Sequence, residues 1–198
     1  MTEVARSIDE GKEIPPAGLR FHSGHTWVRL VSLDLALVGP TGFAVSFAGS
    51  MAGISLPREF SLLRPGETAW TFTTAKGRHL SQISPIGGQV LAVNSDVRED
   101  PSQLERSPYR AGWIMCMRSP DIPYRMRSLL SQEPDLLGLD RTCKRMTSVL
   151  GTALRLPYRD GGWEPQFGDG FSDEEWEALR RDLFSASGSS PRSRVLSG

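Results

Sequence analysis

The sequence feature that most restricts the fold is a pair of β-rich runs joined by a short break. Threonine and aromatic residues dominate residues 70–75, and a second alternating run occupies residues 79–84. Lys76, Gly77 and Arg78 lie between them. Two such runs around a glycine predict a β-hairpin, because glycine adopts the positive φ that a tight turn can need. The pattern therefore predicts Lys76 at or beside the hairpin tip, with the polar Lys76 and Arg78 side chains facing water.

Lysine is rare in this chain. Lys12, Lys76 and Lys144 are its three lysines, against twenty arginines. A primary amine can be acylated, whereas a guanidinium stays protonated and cannot serve in that way. An amine at the tip of a hairpin is thus a candidate for modification. Most exposed lysines in turns contribute only solubility, and that alternative stays open at this point.

The first two thirds of the chain consist of short β-like runs separated by glycine and proline. Besides the hairpin, strands are predicted at residues 19–21, 25–31, 35–38, 53–56, 88–94 and 112–117. Residues 43–48 fit either a short helix or a strand. Short strands at this spacing are typical of a mainly β fold, a small barrel or sandwich.

Helical patterns dominate the C-terminal third. A capped helical turn is predicted at residues 100–104, and helical apolar spacing is seen at residues 126–130 and 136–154. Ser172 followed by three acidic residues predicts the start of a helix that runs to about Phe184. These acids are interpreted as a solvated helix start.

Composition excludes several classes of function. The formal net charge is zero, so the sequence gives no indication of nucleic-acid binding. Cys116 and Cys143 form no metal-ligand motif, which predicts free thiols and a reducing, cytoplasmic location. The N-terminus lacks the apolar run of a signal peptide. The three histidines are scattered, and no catalytic arrangement or metal site is predicted.

A stretch without charge, residues 35–57, is long enough to span a bilayer. Its glycines, prolines and serines divide it into short pieces, which argues against a membrane span. We therefore predict that this stretch forms an uncharged surface that meets a protein partner.

An ordered series of motifs runs through about residues 19–130. Its members are His25-Thr26-Trp27-Val28-Arg29, Val38-Gly39 with Thr41, Leu56-Pro57, Gly66, Ser84-Pro85, Gly88-Gln89-Val90, Val93-Asn94, Asp100-Pro101, Ser107-Pro108-Tyr109 and Gly112-Trp113. In this order the motifs resemble the glycine cleavage H-protein family. The resemblance implies a lipoyl-domain-like barrel or sandwich of the hammerhead type, here followed by C-terminal helices.

The same resemblance implies a function for Lys76. In this family a lysine at a hairpin tip carries lipoic acid in amide linkage, and Lys76 lies ten residues after Gly66, at the family's carrier position. The implied role is that of an aminomethyl carrier. Its implied partners are glycine decarboxylase, aminomethyltransferase and dihydrolipoamide dehydrogenase. The residues predicted to support the hairpin and its turn are Thr73, Thr74, Gly77, Ser84, Pro85 and Gly88.

The chain departs from the family pattern near the lysine. The family has an acid three residues before the lysine, where this chain has Thr73. In the family, the proline of the S-P pair follows the lysine by eight residues. The residue eight positions before Pro85 is Gly77 rather than Lys76, which suggests a one-residue insertion after Lys76. Several family carboxylates are absent from the uncharged stretch. These departures favour an alternative, an unlipoylated H-like scaffold or accessory subunit of a larger complex such as a redox assembly.

Together these observations divide the chain into four parts. Residues 1–18 are predicted to be a flexible arm, residues 19–130 the H-protein-like lipoyl domain, residues 131–184 an aromatic and helical extension, and residues 185–198 a disordered tail. The extension contains Trp163, Phe167, Phe171 and Trp176, which either pack back on the domain or dock elsewhere.

Overall fold

The computed structural model describes residues 15–134, 139–152, 157–159 and 162–184. Most of the predicted N-terminal arm and all of the predicted tail at residues 185–198 lie outside the described residues. The strands are β1 Arg20–His22, β2 Thr26–Leu30, β3 Leu35–Pro40, β4 Met51–Ser55, β5 Leu62–Leu63, β6 Thr68–Thr74, β7 His79–Ile83, β8 Gly88–Val93, β9 Met115–Arg118, β10 Tyr158–Arg159 and β11 Gly162–Trp163. The helices are α1 Gly42–Ala48, α2 Ser95–Glu99, α3 Gln103–Arg106, α4 Ile122–Met126, α5 Leu139–Leu150 and α6 Asp173–Phe184, with a 3-10 turn at Phe167–Gly170.

Two antiparallel sheets share one core. The larger has the strand order β1-β2-β3-β9-β8-β5, and the smaller has the order β4-β6-β7. Val38 and Met117 of the larger sheet and Phe72 and Leu80 of the smaller one are fully buried in the same cluster. The predicted mainly β architecture with C-terminal helices is confirmed, and the arrangement is that of a small sandwich.

The family motifs at residues 25–29 and 107–113 meet in a second buried cluster. The Trp27 indole Nε1 donates to the Pro108 carbonyl at 3.1 Å. The Tyr109 hydroxyl accepts a hydrogen bond from the Gly42 amide at 2.8 Å. A Cβ on Gly39 would lie 2.5 Å from the Trp27 ring, so only glycine allows this close approach. These motif residues hold the loop before β9 against β2 and β3.

The C-terminal extension packs back on the domain. Trp163 and Trp176 are buried in the main core cluster, together with Phe43 and Phe47 of α1. The Trp176 indole Nε1 donates to the Phe47 carbonyl at 3.1 Å. The uncharged stretch that was expected to meet a protein partner forms β3, α1 and β4, and its α1 face is instead covered by this chain's own extension. No helix within the described ranges is long and apolar enough to cross a membrane.

The beginning of α6 follows the sequence prediction. The Ser172 hydroxyl accepts from the Glu175 amide at 3.2 Å, and the Glu175 carboxylate accepts from the Ser172 amide at 2.9 Å. This reciprocal pair is a capping box. The predicted start at Ser172 and the predicted end near Phe184 are both confirmed.

Other element boundaries differ from the predictions. The helix expected at residues 126–130 lies earlier and ends at Met126. Leu130 lies outside it, because its backbone exchanges two 2.8 Å hydrogen bonds with Phe21. Helix α2 and strand β5 were not predicted. They contain five and two residues, too few to show a period in the sequence.

A buried glutamine in β7 provides a stability prediction. Gln82 is 1 % exposed, and its amide nitrogen and oxygen find no hydrogen-bond partner within the described residues. Gln82→Met keeps the volume and removes both polar atoms, so we expect the free energy of unfolding to rise by about 1 kcal/mol. Chemical denaturation measures this. Gln89→Met is the matched control, because the Gln89 amide has a partner, the Phe60 carbonyl at 3.3 Å. An unchanged or lower stability for Gln82→Met would contradict the prediction.

Candidate functional site: the tip of the β6–β7 hairpin

The turn between β6 and β7 presents Lys76. The Gly77 amide donates to the Thr74 carbonyl at 2.9 Å, which closes a four-residue turn with Lys76 as its third residue. The Thr74 amide donates to the Arg78 carbonyl, also at 2.9 Å, so three residues form the loop. Gly77 has φ +75°, the left-handed conformation typical of glycine at the end of such loops. Lys76 therefore stands at the tip, and it is exposed.

Three of the predicted supporting residues lie at this tip. The Thr74 hydroxyl accepts from the Arg78 amide at 3.0 Å. The Thr73 hydroxyl lies 3.3 Å from His79 Nδ1 across the two strands. Gly77 closes the loop. The backbone amide of Ala75 donates to the Ser50 carbonyl at 2.7 Å, which fixes the tip against the segment before β4.

The other three predicted supporting residues lie at the opposite end of β7. The Ser84 hydroxyl donates to the Ile86 carbonyl at 2.6 Å, and the Ser84 carbonyl accepts from the Gly66 amide at 2.8 Å. Pro85 follows in the same connection. A Cβ on Gly88 would collide with the Arg118 carbonyl of β9. Ser84, Pro85 and Gly88 thus fix the connection between the hairpin and the larger sheet, and they do not contact the tip.

The Lys76 amine contacts the C-terminal extension. Lys76 Nζ donates to the Asp169 carbonyl at 2.6 Å. The Asp169 carboxylate is itself held by Ser50, whose amide and hydroxyl donate to Oδ2 at 2.9 and 2.6 Å. The 3-10 turn of the extension is therefore bound both to Lys76 at the hairpin tip and to Ser50 before β4.

The prediction that the Arg78 side chain faces water is wrong. Arg78 is 9 % exposed, and its guanidinium reaches three acceptors. Nε donates to the Asp173 carboxylate at 2.8 Å, one terminal nitrogen donates to the Gly168 carbonyl at 3.0 Å, and the other donates to the Phe171 carbonyl at 2.7 Å. Its carbon Cζ lies 5.5 Å from the centroid of the Trp176 ring. The guanidinium can be buried because these contacts replace its hydration.

The sequence contains a signal for this burial. Side chains alternate between the two faces of a strand, and Arg78 has the same parity as the buried Leu80 and Gln82. Asp169 and Trp176 gave no comparable signal, because each lies more than ninety positions after the residue that it contacts, Lys76 or Arg78.

The histidines and cysteines do not assemble a reactive site. His25 is buried between the rings of Phe43 and Phe184, which supports its interpretation as a structural residue. Burial and the neighbouring His25 lower the pKa of His22. Burial raises the pKa of the Cys116 thiol, which disfavours the reactive thiolate. In the part of the chain that is described, no group of histidine, cysteine and acidic residues is arranged to hold a metal ion.

The hairpin and the buried motif clusters all lie in a segment that matches a known protein family. Residues 19–136 match the family model of the glycine cleavage H-protein. The chain belongs to this family. The glycine cleavage H-protein match ends before α5, so the segment that contacts Lys76 and Arg78 lies beyond it.

Similar proteins carry the same family name. The glycine cleavage system H protein of Edwardsiella ictaluri is 32% identical over 126 residues, which cover 63% of this chain and 96% of that protein. The one from Magnetococcus marinus is 30% identical over 141 residues, which cover 71% of this chain and 98% of that protein. A crystal structure of a glycine cleavage system H protein from Mycobacterium marinum is 25% identical, covers 52% of this chain and 84% of that one, and has a TM-score of 0.49.

Proposed function

We propose that this glycine cleavage H-like protein is a carrier that holds lipoic acid in amide linkage on Lys76. The observation that carries the proposal is the position of Lys76, a primary amine exposed at the tip of a hydrogen-bonded three-residue turn. The turn is held by Thr74, Gly77 and the contact of Ala75 with Ser50, so the attachment point is fixed in space. Family membership supports the choice of lipoic acid as the group attached.

The residues of the tip suit the attachment chemistry. In acylation, a carbon–nitrogen bond forms between the Lys76 nitrogen and the lipoyl carbonyl, the nitrogen gives up a proton and the activating group of the acid leaves. When bound, the lipoyl group supplies a dithiol–disulfide pair that can accept and release an aminomethyl or related group. The protein supplies a rigid base for this flexible arm, which lets the arm reach the sites of separate enzymes.

The proposal assigns no catalytic residue to this chain. The enzymes that act on the arm would be glycine decarboxylase, aminomethyltransferase and dihydrolipoamide dehydrogenase, working with the carrier in the cytoplasm. The features that support this division of labour are the scattered histidines and the half-buried thiol of Cys116, whose pKa is raised by burial. A hairpin tip needs only its amine to serve as a carrier.

One observation favours the second candidate function, an unlipoylated accessory subunit of a larger complex. The Lys76 amine and the Arg78 guanidinium are both bound by the C-terminal extension. In that role, Lys76 would serve only as an intramolecular contact.

The intact mass of the protein from its native cells distinguishes the two functions. We expect the mass increment of one lipoyl group, and peptide mapping should place it on Lys76. Lys144, which is also exposed, is the internal control and should be unmodified. An unmodified Lys76 in cells whose other lipoyl proteins are modified would contradict the carrier proposal and favour the accessory role.

A further inference from the structure

Four exposed side chains surround the short strand β5. We call Arg58, Phe60, Leu62 and Arg64 the β5 patch. Phe60 is 68 % exposed and Leu62 is 76 % exposed, which is unusual for large apolar side chains. Leu63, between Leu62 and Arg64, packs against the main core instead. The β5 patch therefore presents two apolar side chains to solvent, with an arginine before them and another after them in the chain.

Phe60 is held in a backbone conformation that a bulky residue rarely adopts. Its φ is +64°, in the left-handed region. The Phe60 amide donates to the Val90 carbonyl at 2.7 Å, and the Phe60 carbonyl accepts from Gln89 Nε2 at 3.3 Å. The Ser61 amide and hydroxyl both donate to the Arg58 carbonyl, at 3.2 and 2.6 Å. Strained residues of this kind persist where the surrounding structure fixes them, and they cluster at sites that bind ligands.

Leu62 offers backbone groups as well as its side chain. Strand β5 is the last strand of the larger sheet, so one of its sides has no neighbour among the described strands. The Ser61 carbonyl accepts from the Val90 amide of β8 at 2.9 Å, and Leu62 is paired with Gln89. Because the backbone groups of successive residues in a strand point to opposite sides, the Leu62 N–H and C=O point away from β8. Neither group has a hydrogen-bond partner within the described residues.

The two arginines of the β5 patch have unpaired charges. The guanidinium groups of Arg58 and Arg64 form no ion pair or hydrogen bond in the part of the chain that is described. The acids beside them are bound by backbone amides instead. Glu59 Oε1 accepts from the Val93 amide at 3.2 Å, and Glu67 Oε2 accepts from the Arg64 amide at 2.7 Å. An unpaired guanidinium on each side of an apolar pair favours a ligand with a carboxylate on each side.

We propose that the β5 patch docks an extended segment of a partner protein in which apolar residues are flanked by acids on both sides. The backbone of this segment pairs with Leu62 by strand addition. Its apolar side chains cover Phe60 and Leu62, and its carboxylates pair with Arg58 and Arg64. The inference goes beyond the carrier function, because β5 belongs to the larger sheet whereas the hairpin that presents Lys76 belongs to the smaller one.

Two features favour a protein segment over a membrane or a second copy of this chain. The Leu62 N–H and C=O find hydrogen-bond partners in another backbone, whereas lipid acyl chains offer none. A second copy, related by a two-fold axis at β5, would bring Arg58 and Arg64 of one molecule towards the same arginines of the other. Like charges that face each other across an interface disfavour that association.

A peptide titration of the full-length protein, followed by nuclear magnetic resonance, tests the proposal. The probe is acetyl-Glu-Glu-Thr-Val-Thr-Val-Thr-Glu-Glu-amide, and the control peptide has lysine in place of every glutamate. We expect the acidic peptide to cause saturable chemical-shift changes that centre on the backbone amides of residues 60–63. The control peptide should bind about tenfold or more weakly, because its charges repel the two arginines.

A matched pair of double variants tests the charges. Arg58→Glu/Arg64→Glu reverses both charges of the β5 patch at exposed positions, and should reverse the preference, so that the lysine peptide binds more tightly than the acidic one. Arg125→Glu/Arg127→Glu makes the same change in net charge at exposed positions near β1, at the opposite edge of the larger sheet. This control should bind the acidic peptide as the wild type does.

Several results would overturn the proposal. Equal affinity of the wild type for the two peptides, or no shift change around Leu62, would exclude a strand-docking site for acidic segments. Sedimentation with phosphatidylglycerol vesicles in the absence of peptide binding would assign the β5 patch to a membrane surface. A concentration-dependent dimer that Phe60→Ser abolishes would assign it to a second copy of the chain. The mass of the Lys76 peptide tests the carrier function separately, so each proposal can fail without the other.

Discussion

The Lys76→Arg variant is expected to lose lipoylation completely and to keep its fold. The guanidinium of arginine does not form the amide that lipoylation requires. Lys76 is exposed in a loop, and arginine keeps both the positive charge and the ability to donate to the Asp169 carbonyl. We expect the free energy of unfolding to change by no more than about 0.5 kcal/mol. Intact mass reports the modification, and a thermal melt reports the fold.

Lys144→Arg is the control for this substitution. It removes the same type of side chain from α5, and should leave the lipoyl group in place. Glycine cleavage activity of the reconstituted enzymes should be lost in Lys76→Arg and retained in Lys144→Arg. Modification or activity that survives in Lys76→Arg would show that the carrier site is elsewhere, and would exclude Lys76 as the attachment point.

Of the substitutions proposed for this protein, Trp176→Ala should cause the largest loss of stability. Trp176 is 2 % exposed, stacks on Phe47, and donates its indole N–H to the Phe47 carbonyl. Its removal creates a large cavity between α6 and α1, and leaves that carbonyl without the indole donor. Substitutions of this kind cost about 3–5 kcal/mol, which is a large share of the stability of an ordinary domain. Chemical denaturation followed by circular dichroism measures the loss.

An exposed neighbour in the same helix provides the comparison. Glu174→Ala lies two positions earlier, and is expected to change stability by no more than about 0.5 kcal/mol. A loss below about 1 kcal/mol for Trp176→Ala would mean that α6 is not part of the cooperative fold. The expected result has a practical consequence, because deletion of residues 157–198 would strip the same aromatic groups from the core. Such a deletion would destabilise the domain, and so it is not a clean test of a docking role for the extension.

Local features of the fold could be predicted from the sequence. The hairpin at residues 70–84 can be predicted from two runs of alternating side chains and the glycine between them. Both features involve only neighbouring residues. The capping box at Ser172 and Glu175 is equally local, since its two partners are three residues apart. Chain connectivity fixes such geometry, so composition and spacing are enough to find it.

The environment of the candidate site could be predicted only in part. Lys76 was placed at the tip, but the contacts of Arg78 with Gly168, Phe171 and Asp173 join positions 90 to 95 residues apart. A pattern in one segment does not indicate which distant segment will cover it. Strand parity predicts that Arg78 turns inward, and the identity of its partners depends on tertiary packing. For the same reason the uncharged α1 face was assigned to a partner protein, when the partner is the extension.

The order of synthesis gives the contact between Lys76 and Asp169 a consequence in time. Asp169 follows Lys76 by 93 residues, so at about 5–20 residues per second it is added roughly 5–20 s after the lysine. The β6–β7 hairpin is a local structure, and β-hairpins form in about 1–10 μs. For several seconds in the life of each molecule, the hairpin residues are therefore present before Asp169 has been added. An enzyme that acts on the nascent chain would meet Lys76 without this contact, whereas one that acts on the released protein would meet the amine hydrogen-bonded to the Asp169 carbonyl.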